Sequence, residues 1–240
     1  MTIKPHNNLK VIINSVNKSK IENYPFPHLY IRNFFEKSFY NNLILSIPKK
    51  EHFIQLNKTQ NVNSNYPDER YVFDITPDTF NSFNTEQKNV FREIVNILMS
   101  KDFFLTVVSK FSKVLVPIKP EEINIRLTLV KDFTNYNLGA HTDSTQKFMT
   151  FLFYLPDDDS NKYIGTTLYK MNEDSDLKIS YNEHFSAEDT KKHFKQIKLA
   201  EYYPNSVLVF PRSNTSFHGV NPIDIDSKER NLLLLNYYHK

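Results

Sequence analysis

Cysteine is absent from the 240-residue chain. That one absence removes disulfides, zinc fingers, iron-sulfur clusters, blue copper and thiol nucleophiles together, so any metal must be held by nitrogen and oxygen ligands. No apolar run approaches the ~18 residues of a membrane span, and the stretch Val11, Ile12, Ile13 is too short for the core of a signal peptide. No membrane partner is expected, and a reducing, cytoplasmic setting fits. The net charge of +3 is scattered, without a long basic run or a nucleic-acid fingerprint, so no nucleic-acid partner is expected either. Glycine is down to 3 residues while Phe and Tyr rise to 20 and 14. With 40% hydrophobic and 24% charged residues, the composition is otherwise that of an ordinary globule large enough for one well-buried core.

The first half reads as helical and the second as strands, which predicts an all-β core carrying helices on its outside. Phe35, Phe39, Leu43 and Ile47 recur every four residues between "PFPH" at 25–28 and Pro48, the spacing of an amphipathic helix. Residues 49–82 are polar and irregular. Asn84 and Gln87 form a cap pair for a helix carrying Val90, Phe91, Ile94, Ile97 and Leu98, and a further helix carries Phe103, Val107, Phe111 and Leu115 before Pro117. Beyond residue 120 the period drops to two: Ile123, Ile125, Leu127 and Leu129 alternate with Asn124, Arg126, Thr128 and Val130, as in a half-buried strand. Short apolar runs at 148–155, 163–171, 206–210 and 231–238 add the strands of a sandwich or barrel. The charged stretch 172–200, in which "SAED" at 186–189 offers a helix cap, reads as an insertion on the barrel rim.

The segment "GAHTDS" sets His141 and Asp143 two apart. On an extended strand such residues share a face, so one imidazole and one carboxylate converge. In "FPRSNTSFHGVNPIDIDSKERNLLLLNYY", His218 is expected to close one strand and Arg230 to open the next after a turn marked by Gly219, Asn221 and Pro222. A hairpin of that length brings the Arg beside the His. A guanidinium at the mouth of the apolar run "NLLLL" calls for an anion; the carboxylates nearest in sequence, Asp224, Asp226 and Glu229, lie in the turn and offer surface pairing instead. Two imidazoles and one carboxylate on one side of a metal leave positions open for cosubstrate and dioxygen, the donor set of mononuclear Fe(II) oxygenases.

The order of features over residues 120 to 238 is an HxD motif, the strand "TFLFYLP", a Gly-containing strand, "VLVFP", and then His and Arg before a last apolar strand. It resembles the 2-oxoglutarate- and Fe(II)-dependent oxygenase superfamily, in its prolyl-hydroxylase-like branch. The resemblance implies a mainly β fold with flanking helices: a double-stranded β-helix (jelly-roll) barrel over 120–240, with the largely helical residues 1–119 packed on it in a single domain. It implies Fe(II) held by His141, Asp143 and His218, and 2-oxoglutarate whose distal carboxylate is held by Arg230 and hydrogen-bonded by Tyr154. With dioxygen, these imply hydroxylation of a C–H bond and release of succinate and carbon dioxide. Asp143 favours that outcome, because halogenating relatives carry a small residue in its place. Two positions depart from the pattern: "IGTT" at 164–167 stands where many members have a paired Gly, and Leu232 where many carry a Ser. The N-terminal "YPFPHLYIRNFF" also resembles the opening of some uncharacterised bacterial and viral members.

His28, His52, His184, His193 and His239 have no His or carboxylate at ligand spacing and are expected at the surface. Asp157, Asp158 and Asp159 lack the glycine and the bidentate acid of a calcium loop and read as a solvated turn. Arg126 and Thr128 share a strand face that points either into the barrel or to a rim salt bridge, while Asn236 and Tyr238 share the Arg230 face as candidate inner-barrel polar residues. The substrate stays open between a peptide, a glycan and a small metabolite. Beside the oxygenase stand a binding or scaffold barrel without catalysis, and a cupin-like metal isomerase or sugar-binding barrel in which Arg230 faces a sheet partner.

Overall fold

The computed structural model describes residues 5–59, 62, 66–179, 184–225 and 229–240. Its helices are α1 (Pro5–Lys18), α2 (Lys37–Leu45), α3 (Pro77–Asn81), α4 (Thr85–Leu98), α5 (Lys101–Lys110) and α6 (Ala187–His193). Most begin on side chains that satisfy otherwise orphaned N–H groups. Asn84 and Gln87 exchange hydrogen bonds in a capping box on α4, and Ser100 and Ser186 cap α5 and α6. Among the described residues, no helix is long and apolar enough to cross a membrane.

The strands are β1 (Leu29–Arg32), β2 (Ile54–Gln55), β3 (Arg70–Asp74), β4 (Ile123–Asp132), β5 (Leu138–His141), β6 (Lys147–Tyr154), β7 (Thr166–Met171), β8 (Phe194–Ala200), β9 (Ser206–Pro211), β10 (His218–Val220) and β11 (Arg230–His239). They form a large sheet in the order β1-β9-β6-β11-β4-β3-β2 and a small sheet in the order β5-β10-β7-β8. Every pairing is antiparallel. This is the expected jelly roll, mainly β with flanking helices.

Period two assigns the two faces of the large sheet to different jobs. Leu127, Leu129, Phe151, Phe153, Leu233 and Leu235 point outward and form one core with Phe91, Ile94, Phe103 and Phe104 of α4 and α5. The opposite phase points inward, where Val130, Tyr154, Leu208 and Leu232 meet Leu138 and Leu168 of the small sheet. On β4 the apolar phase therefore faces the helices, and the polar phase, Arg126, Thr128 and Asp132, faces the barrel interior. The high aromatic content is spent mainly at the helix–sheet boundary, where Phe34 meets Phe153 edge-on at 5.3 Å and Phe35 stacks on it at 5.7 Å.

Several local expectations need correction. Residues 49–82 are not irregular throughout: β3 pairs with β4 over five residues, and β2 and α3 lie to either side of it in sequence. Helix α1 was not anticipated, although Ile12 and Val16 are buried in the outer core. The stretch 172–200 is only partly a rim insertion, because its end is β8, hydrogen-bonded to β7 in the small sheet. His218 opens β10 instead of closing a strand, and β10 pairs with β5 and β7 while β11 pairs with β4 and β6. The link from His218 to Arg230 is thus a crossing between sheets, not a hairpin. Ile223 and Ile225, buried in the inner core, draw the connection across the barrel end.

Candidate active site

His141 ends β5 and His218 opens β10, and the two are direct partners in the antiparallel register. Their ring centroids lie 4.3 Å apart. Glycine permits close backbone contacts beside that pair, with Gly219 facing β5 itself. A Cβ on Gly139 would come within 1.8 Å of the Phe185 carbonyl oxygen, and one on Gly219 within 2.5 Å of the Leu138 carbonyl oxygen. Two of the chain's 3 glycines thus sit where backbone meets backbone beside the histidines. Each ring places Nδ1 3.0 Å from the carbonyl two residues before it, Gly139 for His141 and Ser216 for His218. A carbonyl only accepts, so Nδ1 donates and the Nε2 lone pair is free to bind a metal.

Asp143 lies just past β5, and its carboxylate is held at both oxygens. Lys147 donates to Oδ1 at 2.6 Å and Thr150 to Oδ2 at 2.6 Å. One ligand atom from each of His141, Asp143 and His218 lies within 4.8 Å of the others, and this is the only such group among the described residues. Burial, with His218 alongside, pushes the His141 imidazole down to about 3. Burial likewise lowers His218. Burial pushes the Asp143 carboxyl up, but the Lys147 ammonium and both imidazoles outweigh it and hold the group below the usual carboxylate range. At neutral pH all three groups are in the unprotonated state a metal requires.

Arg230, only 1% exposed, lies at the other end of the barrel interior. Its Nε donates to the Ile164 carbonyl at 2.7 Å, its Nη1 to Asp132 Oδ2 at 2.6 Å, and its Nη2 reaches Thr166 Oγ1 at 3.4 Å. Among the described residues its carboxylate partner is Asp132, not the turn carboxylates Asp224 and Glu229. Glu229 pairs with Lys131, the Asp224 backbone carbonyl accepts from Tyr163, and Asp226 is outside the described residues. Asp132 is shared: Arg70 Nε and Nη2 also donate to it, at 2.6 and 2.8 Å. Arg70 and Arg230 are both register partners of Asp132, one on β3 and one on β11. The ring of Tyr154 lies 5.8 Å from the Arg230 guanidinium; its buried hydroxyl interacts with Thr166, and the residue does not line the cleft that Arg230 lines.

The sequence matches no protein-family model and no curated protein. Solved structures do match. The prolyl hydroxylase of Trichoplax adhaerens, in complex with a hypoxia-inducible-factor peptide fragment, has a TM-score of 0.56 at 15% identity, over 96% of this chain and 89% of that one. A prolyl-4-hydroxylase from Pseudomonas putida gives 0.53 at 11% identity, over 97% and 99%. The epimerase SnoN, in complex with Fe3+, alpha-ketoglutarate and nogalamycin RO, gives 0.50 at 7% identity, over 98% and 85%. The chain shares the fold of these three structures.

In this fold the two ends of the site open into one cleft of about 1130 Å³. His141, Asp143 and His218 line it together with Arg70, Arg126, Arg230, Asn236 and Tyr238. Arg126 is bidentate to Asp74 at 3.0 and 2.6 Å, and Thr128 donates to the same carboxylate at 2.6 Å. Asn236 is 5% exposed, with an Oδ1 that has no partner among the described residues. The donor set fits a first-row divalent metal: two Nε2 lone pairs and one carboxylate leave open positions, the arrangement of non-haem Fe(II) sites. The far end fits a carboxylate by charge, since two guanidiniums, Arg70 and Arg230, face one Asp.

Sequence reasoning missed Lys147, Thr150, Asp132 and Arg70. Thr150 and Asp132 were within reach, because they continue the inward phases Tyr154–Leu152 and Thr128–Val130. Arg70 carried no signal, since β3 has only 5 residues in a polar stretch. Two histidines expected at the surface are buried: His28 packs against Phe26 and donates to its carbonyl at 2.8 Å, and His193 contacts Ser175 at 3.0 Å. Both imidazoles bury because a neighbouring polar group satisfies a ring nitrogen. His184 and His239 line the cleft, and His52 is exposed. At the Asp157–Asp159 turn, Asp158 accepts from the Ser160 N–H at 2.9 Å.

Proposed function

We propose that the chain is a 2-oxoglutarate- and Fe(II)-dependent oxygenase that hydroxylates a C–H bond. Iron is assigned to His141, Asp143 and His218, and the distal carboxylate of 2-oxoglutarate to Arg230 and Tyr154. The observation that carries the reading is the convergence of two Nε2 lone pairs and one carboxylate in a cleft that a buried cation, Arg230, also lines. When bound, iron with 2-oxoglutarate and dioxygen supplies the oxidising power that inserts oxygen into the C–H bond and releases succinate and carbon dioxide. The chain's own residues orient the parts. The Gly139 and Ser216 carbonyls fix the imidazole tautomer. Lys147 and Thr150 hold the Asp143 carboxylate, and Arg230 with Tyr154 grips the cosubstrate by charge-assisted hydrogen bonds.

The substrate occupies the remaining cleft. A prolyl hydroxylase of this fold binds a peptide and SnoN binds nogalamycin RO, so a peptide, a glycan and a small metabolite all stay in view. A second reading has its own observation, because Arg230 already faces a sheet partner, Asp132. On that reading the barrel is a metal isomerase, or a binding or scaffold protein, that takes no 2-oxoglutarate. Succinate formation dependent on both iron and 2-oxoglutarate, lost in Asp143→Ala, is the expected result for the oxygenase. Iron binding with no succinate and no thermal protection by 2-oxoglutarate favours the second reading.

A further inference from the structure

A lone arginine is the simplest anchor for a carboxylate, and this barrel does not have one. Asp132 is fully buried and takes three charge-assisted contacts of 2.6, 2.6 and 2.8 Å, one from Arg230 and two from Arg70. The three residues form one cross-strand row on β3, β4 and β11. Arg70 and Arg230 line the cleft, whereas Asp132 does not. Alone, Asp132 would neutralise Arg230 and leave little to attract a second carboxylate at low local dielectric. Arg70 restores the balance, because two guanidiniums against one carboxylate leave a single positive charge facing the cleft. A guanidinium has five N–H donors, so neither arginine is exhausted by the contacts it makes.

We propose that the cosubstrate's distal carboxylate is bound by a charge triad and not by Arg230 alone, with Arg70 as the positioning residue that supplies the charge Asp132 takes from Arg230. This rests on the oxygenase reading above. It assigns a cosubstrate role to a residue outside the His–Asp–His and Arg230 set, on a strand from the N-terminal half of the chain.

Calorimetric titration of 2-oxoglutarate into the anaerobic Fe(II)-loaded protein tests it through charge arithmetic. Arg70→Gln, which leaves a neutral Arg230–Asp132 pair, is expected to weaken binding about tenfold or more, and Arg70→Lys, which keeps the charge, to change it less than about threefold. The double variant Arg70→Gln with Asp132→Asn frees Arg230 again and should return to within about threefold of the wild type. A merely structural role for Arg70 predicts no such recovery. If Arg70→Gln fails to fold, Asp132→Asn alone carries the test, because two unneutralised guanidiniums should tighten binding about threefold or more. Equal affinity in the wild type and Arg70→Gln, no recovery in the double variant, or no tightening in Asp132→Asn overturns the triad and leaves the oxygenase reading standing. No 2-oxoglutarate binding by the wild type overturns both.

Discussion

His141 and His218 are register partners on β5 and β10, and each donates Nδ1 to the carbonyl of the residue two before it at 3.0 Å. The backbone of the small sheet thus sets both the spacing and the tautomer of the two imidazoles before any metal arrives. If the site binds iron as proposed, such preorganisation lowers the cost of assembling it and ties metal affinity to the packing of strands.

Gly219→Ala tests that tie. A methyl group 2.5 Å from the Leu138 oxygen forces β10 away from β5, at an expected cost of about 1–3 kcal/mol. Because the shift separates the two rings, iron affinity should fall together with stability. Denaturant unfolding and iron titration of the same variant check this, and unchanged affinity would show that the pair does not depend on the close approach.

Much of this arrangement was legible in the sequence, and the failures have physical causes. The helix caps at Asn84 and Ser186 and the long strands β4, β6 and β11 could be read because capping and alternation are local signals, whereas the Ser100 cap on α5 was not read. His141 and Asp143 were readable for the same reason. The geometry between His218 and Arg230 was misread because a turn-rich link looks alike whether it closes a hairpin or crosses to the other sheet, and only the burial of Ile223 and Ile225 separates the two. Asp132 as the partner of Arg230 was missed because the pairing is 98 residues apart in sequence, with nothing local to announce it.

Asp143→Ala leaves the Lys147 ammonium, 19% exposed at its side chain, without its carboxylate. Besides losing iron, the variant is expected to be less stable in the metal-free state by about 1–3 kcal/mol. Adding Lys147→Met should recover most of that loss without restoring iron binding. A double variant no more stable than the single one would mean that the Lys147–Asp143 contact contributes little.

Stability should fall in acid. Burial lowers the His28, His141 and His218 imidazoles from their ordinary value of 6.5, so the unfolded chain takes up protons that the folded chain refuses. Below about pH 6.5, unfolding therefore becomes easier as pH drops, by up to about 1.4 kcal/mol per pH unit for each such imidazole. For His141 the window extends down to about 3. Denaturant midpoints of the metal-free protein from pH 7.5 to 5 check the sign; a flat profile contradicts it.

The helix layer should be separable from the chemistry. Phe103, fully buried and 5.8 Å from the Phe151 ring, packs on the outer face of the large sheet. Phe103→Ala is expected to cost about 3–5 kcal/mol of stability. Iron affinity at low temperature, where the variant is still folded, should stay as in the wild type. A parallel loss of affinity would mean that the outer core sets the site geometry directly.

On the proposed reading, two imidazoles and one carboxylate bind a single iron in the cleft. Anomalous scattering at the iron edge from crystals soaked anaerobically with Fe(II) measures this most directly. One strong peak bonded to Nε2 of His141, Nε2 of His218 and a carboxylate oxygen of Asp143 is expected, and it should be absent from Asp143→Ala crystals. No peak there in the wild type, or an equal peak in the variant, contradicts it.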